Sequence, residues 1–86
     1  MYETIFISGA TGGLGKAFAV DCASRGWNLF LTDMHPTQLD TLARAIASTY
    51  GVHVTHYACD LTQANEREAL YAFIDDADLR FRTVIN

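Results

Sequence analysis

The chain has 86 residues, half of them apolar, a formal net charge of −4 and only six Lys and Arg in all. That length allows one domain, residues 1–86, and the apolar half argues for a folded core rather than disorder. The acidic balance with no basic stripe argues against nucleic acid as the main partner, and no apolar run reaches the ~18 residues of a membrane span.

In chain order, Glu3 to Ser8 (ETIFIS) is a β-branched and aromatic run that stops at glycines and predicts a buried strand. Leu14, Ala17, Phe18 and Cys22 then recur at helical spacing, and Gly26 stands where a C-terminal cap belongs. Trp27 to Asp33 (WNLFLTD) predicts a second strand that ends on an acid. Pro36 suits the first turn of a second helix, whose stripe is Leu39, Leu42, Ala43, Ile46 and Tyr50 and whose stop is Gly51. Val52 to Cys59 predicts a third strand, again followed by an acid, Asp60. Thr62 or Asn65 is expected to cap a third helix with Leu70, Phe73, Ile74 and Ala77 inward, and Phe81 to Asn86 starts a fourth strand.

Strands alternating with helices, joined by short connections, imply an α/β fold with a parallel sheet. The expected architecture is a Rossmann-like half-fold of about four strands in the order 3-2-1-4, with helices on both faces.

The run Ser8 to Ala17 (SGATGGLGKA) is the chemical focus, because a glycine-rich turn between strand and helix receives phosphates. Two phosphate loops use similar letters. The hydrolase loop G-x-x-x-x-G-K-[S/T] would need glycine at Ala10 and a magnesium-binding hydroxyl at Ala17, and both are missing. Lys16 then reads as an exposed residue of the first helical turn. The dinucleotide turn fits better, since the run leaves a strand, opens a helix and is followed ~20 residues on by the acid Asp33. Gly9 permits the tight turn, Gly12 or Gly13 lets the backbone approach a pyrophosphate, and Gly15 lets the helix pack closely. The helix start around Gly13, Leu14 and Gly15 offers unpaired amides and a positive dipole. Strict G-x-G-x-x-G is not met, because Phe18 holds the third glycine position.

What is met is Gly-x-x-x-Gly-x-Gly at Gly9, Gly13 and Gly15, preceded by Ser8. In this the chain resembles the short-chain dehydrogenase/reductase family, whose signature is T-G-x-x-x-G-x-G, with Ser8 in place of the threonine. Gly9, Gly12 and Gly15 also satisfy the T-G-x-x-G-x-x-G form of the family's extended branch. The full second helix and the spacing to Asp60 favour the classical branch. Cys59-Asp60-Leu61-Thr62 is similar to the family's D-[V/L]-T segment, which implies that the Asp60 carboxylate and the Leu61 backbone meet the adenine. Val84-Ile85-Asn86 is similar to the start of its N-N-A-G motif, which places Asn86 near the cofactor. The expected cofactor-binding set is Gly9, Thr11, Gly12, Gly13, Leu14, Gly15, Asp33, Asp60, Leu61 and Asn86.

Asp33 can accept bonds from the adenosine ribose hydroxyls and would repel a 2′-phosphate. Neither Gly12 nor Met34 and His35 supplies a base for such a phosphate, so NAD is expected over NADP. A cap for the turn before Pro36 is the plainer role for Asp33.

The family's catalytic Ser and Tyr-x-x-x-Lys pair are not found. Tyr2, Tyr50, Tyr57 and Tyr71 are followed four residues later by Phe6, Val54, Leu61 and Asp75, and Lys16 is the one lysine. No catalytic residue and no metal site is expected, and Cys22 and Cys59 read as free thiols. The resemblance implies the cofactor half of an oxidoreductase acting on a carbonyl or alcohol, cut within its fourth strand and inactive alone. A non-catalytic NAD(P)-sensing domain is the alternative. An exposed Thr83-Val84-Ile85 edge predicts homo-oligomers, and no charged-then-apolar leader opens the chain, so a cytoplasmic address is expected.

Overall fold

The computed structural model describes residues 3–85. The elements run β1 (Thr4–Ser8), α1 (Gly13–Ser24), β2 (Asn28–Asp33), α2 (Pro36–Tyr50), β3 (Val54–Ala58), α3 (Ala64–Asp76) and β4 (Phe81–Ile85). The four strands form one parallel sheet in the order β3-β2-β1-β4. This is the Rossmann-like arrangement that the alternation of elements implies, with β1 and β2 one residue shorter and β3 three residues shorter than their apolar runs.

Side chains alternate across the sheet and divide the core by chemistry. Ile5, Ile7, Leu29 and Leu31 face one side, where Ala19 and Ala23 of α1 and Leu39, Ala43 and Ile46 of α2 cover them. Phe6 and Phe30 face the other, packed with Leu70 and Phe73 of α3 and with Phe81. Two helices cover the aliphatic side, and α3 covers the aromatic one. Phe6 and Phe30 stack with centroids 5.4 Å apart, and Phe81 meets Phe6 edge-on at 5.3 Å.

The inward faces of the helices correct the apolar stripes read from sequence. On α1, Leu14, Ala17 and Phe18 are exposed and Cys22 is half-buried, while Ala19 and Ala23 are the buried residues. The fully buried positions of the helix carry methyl groups, Val20 and Cys22 pack at their margin, and Leu14 and Phe18 turn outward. Tyr50 at the end of α2 and Ala77 beyond α3 are likewise exposed. The start of α3 also differs. Gln63 is the N-terminal cap residue and no side chain caps it, so neither Thr62 nor Asn65 has that role. The Thr62 hydroxyl bonds Asp60 instead, 2.7 Å away.

Helix ends follow from backbone geometry. Gly26 (φ 87°) follows the end of α1 and donates to the Ala23 carbonyl, and Gly51 (φ 68°) closes α2 on the Ala47 carbonyl. In β4 the register slips by one residue: Thr4 pairs with Phe81 but Ile5 pairs with Thr83, leaving Arg82 as the extra residue of a bulge. Phe81 and Ile85 have the same parity and would share a face in a regular strand. The bulge lets Phe81 join the aromatic side while Ile85 packs on the aliphatic one. Arg82 is held at 3.0 Å by Glu3 and lies 5.0 Å above the Trp27 ring.

Candidate functional site

In a parallel sheet every strand ends at the same edge, so the turns after β1, β2 and β3 gather there. Gly9 leaves β1 with φ 63°, a left-handed conformation that turns the chain within one residue. The turn closes with the Gly12 amide donating to the Gly9 carbonyl at 3.1 Å. Helix α1 then starts against the turn itself. A Cβ on Gly15 would overlap the Gly9 carbonyl oxygen and lie 2.9 Å from its carbon, whereas one on Gly13 would meet nothing within 4 Å. Gly15 is therefore glycine for packing, and Gly13 leaves open space in front of the helix.

The amides of Gly13, Leu14 and Gly15 have no acceptor within the helix, by the geometry of any helix start. No side chain caps them, and no acid stands in the first turn. An anionic group there would gain both bonds and the favourable end of the helix dipole.

Asp33 is fixed from the glycine turn. The Thr11 amide and hydroxyl both donate to its Oδ2, at 2.9 and 2.7 Å, and the Met34 amide donates to Oδ1 at 2.7 Å. Partial burial alone would raise the Asp33 carboxyl, but the bonds from Thr11 and Met34, with some help from His35, outweigh it and hold the pKa below the usual aspartate value. One residue earlier, the Ala10 amide donates to the Thr32 carbonyl at 3.2 Å. Successive amides of the glycine turn thus extend the β1–β2 ladder, first onto a carbonyl and then onto a carboxylate.

The turn after β3 joins the same assembly. The Cys59 amide donates to the Asp33 carbonyl at 2.9 Å, and the Thr32 hydroxyl lies 3.4 Å from the Cys59 sulfur in the core. Asp60 Oδ1 accepts from the Thr62 hydroxyl and amide at 2.7 and 2.9 Å, which lowers its pKa as well. Glu66 of α3 accepts from the Asp60 amide at 2.8 Å.

Two grooves flank the glycine turn and share Gly9. One, of about 330 Å³, is lined by Ser8, Gly12, Gly13, Leu14, Phe18 and Ile85 among others. The other, of about 210 Å³, is lined by Asp33, Met34, Cys59, Asp60, Leu61 and Thr62 with Gly9 and Thr32. Together they form a crevice crossing the end of β1, at the point where the strand order reverses.

Residues 3–86 match the family described as short chain dehydrogenase. The chain belongs to that family. The inactive hydroxysteroid dehydrogenase-like protein 1 of Homo sapiens is 41% identical over 69 residues, 74% of this chain and 21% of that protein. Sulfoacetaldehyde reductase of Chromohalobacter salexigens is 33% identical over 86 residues, 100% of this chain and 33% of its own length. Among solved structures, a short-chain dehydrogenase from Sphingobium yanoikuyae in complex with NADPH superposes with a TM-score of 0.85 at 30% identity, covering 95% of this chain and 32% of that one. The chain thus spans a third or less of the length of these relatives.

Of the residues singled out in the sequence, nine converge on the crevice or its walls: Gly9, Thr11, Gly12, Gly13, Leu14, Gly15, Asp33, Asp60 and Leu61. Asn86 lies outside the described residues. Lys16 is exposed on α1 and lines a separate groove with Thr11 and residues of α2, not the crevice. Tyr50 and Tyr71 are exposed and Tyr57 packs on Phe73, so none of these three lines the crevice; Tyr2 lies outside the described residues. Sequence reading missed the Thr11–Asp33 tie and the support of Asp60 by Thr62 and Glu66. The Asp60-x-Thr62 spacing was the available signal for the second, since an aspartate bonds its own backbone two residues on.

Two outcomes follow for stability. Gly15→Ala is expected to lower it by about 1–3 kcal/mol through overlap with the turn, while Gly13→Ala does not lower it; urea denaturation of both variants checks this. Folded-state pKa values below those of the unfolded chain make the Asp33 and Asp60 contribution complete above the ordinary aspartate pKa of about 4 and lost as pH falls below it. Thermal melts between pH 6 and 3, set at intervals of about one unit, should show that loss, with a shallower fall in Asp33→Asn.

Proposed function

We propose that the crevice binds a nicotinamide dinucleotide, with NAD preferred over NADP, on behalf of an oxidoreductase acting on a carbonyl or alcohol. The observation that carries this is the convergence of free helix-start amides, an anchored carboxylate after β2 and a second after β3 around one glycine turn. The amides of Gly13, Leu14 and Gly15, with Gly12 beside them, hold the pyrophosphate. Asp33 receives the adenosine ribose, and Asp60 and the Leu61 backbone border the adenine. Thr11 holds the ribose acceptor, and the family resemblance assigns Asn86 to the cofactor. When bound, the dinucleotide donates the hydride to a carbonyl or accepts it from an alcohol.

The preference for NAD rests on charge. Asp33 stands ionised where a 2′-phosphate would come, and the neighbouring positions are Gly12, Met34 and His35 rather than arginine or lysine. The Sphingobium relative was solved with NADPH. Its partner residues are its own, and the test is direct measurement on this protein.

Proton transfer to the reacting oxygen needs an acid or base beside it. The family resemblance assigns this to a Ser and a Tyr-x-x-x-Lys pair. The 86 residues hold no such pair and by themselves are proposed to be inactive. One of the curated relatives is named inactive. Turnover of a carbonyl panel with NADH by the full-length gene product separates an enzyme from a non-catalytic sensor.

Calorimetry on that gene product should give tighter binding of NAD+ than of NADP+, and Asp33→Ala should weaken NAD+ and narrow the gap. Tighter NADP+ binding in the wild type would overturn the cofactor assignment. The 86-residue chain itself is proposed to self-associate through β4, an edge strand whose Thr83 and Val84 are exposed. Light scattering at micromolar concentration should give more than the mass of one chain, and a purely monomeric mass refutes this.

A further inference from the structure

Asp33 is more tightly engaged than a ribose acceptor needs to be. A carboxylate offers about four lone-pair positions. Thr11 occupies two of them on Oδ2, through its amide at 2.9 Å and its hydroxyl at 2.7 Å, and the Met34 amide takes one on Oδ1 at 2.7 Å. What remains is a single acceptor position on Oδ1, the oxygen on the Met34 side, and Met34 lines the groove with Gly9, Asp60 and Leu61. Two donors from one residue on one oxygen fix both the position and the tilt of the carboxylate. Asp33 itself is only partly buried, so these bonds bear much of the work of holding it in place.

We propose that Thr11 is a specificity-determining positioning residue: its hydroxyl clamps Asp33 so that one carboxylate oxygen faces the ribose hydroxyls and its charge stays where a 2′-phosphate would sit. Thr11 acts through Asp33 and does not itself select the nucleotide. This rests on the cofactor reading above. The backbone amide would form its bond with any residue at position 11, and the hydroxyl is the part that the sequence chooses. Without it, Asp33 keeps its identity and loses one of two restraints on Oδ2. The carboxylate can then rotate away from a 2′-phosphate, which removes repulsion from NADP+ and a good acceptor from NAD+.

The test is Thr11→Val, which keeps the size and branching of the side chain and deletes its donor, with Thr11→Ser restoring the donor. Dissociation constants for NAD+ and NADP+ are measured by calorimetry on the full-length gene product, alongside melting temperatures. In Thr11→Val the ratio of the NADP+ to the NAD+ constant should fall about tenfold, the effect of one hydrogen bond to a charged group. Thr11→Ser should return it to within about twofold of wild type, as expected when the charge-assisted bond is restored. Should Thr11→Val fail to fold, Thr11→Ala carries the same expectation. A purely structural brace would weaken both nucleotides alike and leave the ratio unchanged, and that result overturns the proposal while leaving the cofactor reading intact. A wild-type protein that binds neither nucleotide, or prefers NADP+, overturns both.

Discussion

The absence of a Cβ on Gly15 governs how this fold is assembled. Only a bare Cα lets α1 begin against the Gly9 carbonyl, and that approach brings the whole helix down onto the sheet. Alanines 19 and 23 form its fully buried face, with Val20 and Cys22 packed beside them. The same approach aims the free amides of the helix start across the end of β1 rather than past it. Close packing and anion-binding geometry are therefore two results of one steric condition.

The crevice also balances charge. Its floor ends in two carboxylates, Asp33 and Asp60, each kept ionised by a neighbouring threonine that gives both an amide and a hydroxyl. Facing them is a helix start with partial positive charge and no acid in its first turn. Negative charge in one groove and positive in the other suits a ligand whose anionic group lies at the helix start and whose hydroxyls or amines lie against the carboxylates. The core behind supports this rigidly, because the three turns are bonded to each other through main-chain groups of residues 10, 32, 33 and 59.

Much of this was legible in the sequence because it depends on local rules. Strand and helix alternation gave the parallel sheet and its order, and the glycine spacing gave the turn and the helix start. Less legible was whatever depends on distance between elements. Leu14 and Phe18 looked like a core stripe by period, yet Ala19 and Ala23 take the buried face and both large side chains turn outward. Thr62 looked like a helix cap by type, but Asp60 lies two residues back and competes for it as a stronger, charged acceptor. The bulge at Arg82 leaves no mark in the pattern of β4, since it is imposed by two different faces of the core pulling on Phe81 and Ile85.

That bulge places a guanidinium over the chain's one tryptophan. Trp27 precedes β2 and is half-buried, and Arg82 reaches it across β1 from the far edge of the sheet while Glu3 steadies the cation. The indole thus sits at a junction of three chain segments that are distant in sequence. Whenever β4 leaves its place, the ring loses its cation and part of its cover together. The protein carries a native optical probe for the docking of its last strand, at the end of the sheet opposite the crevice.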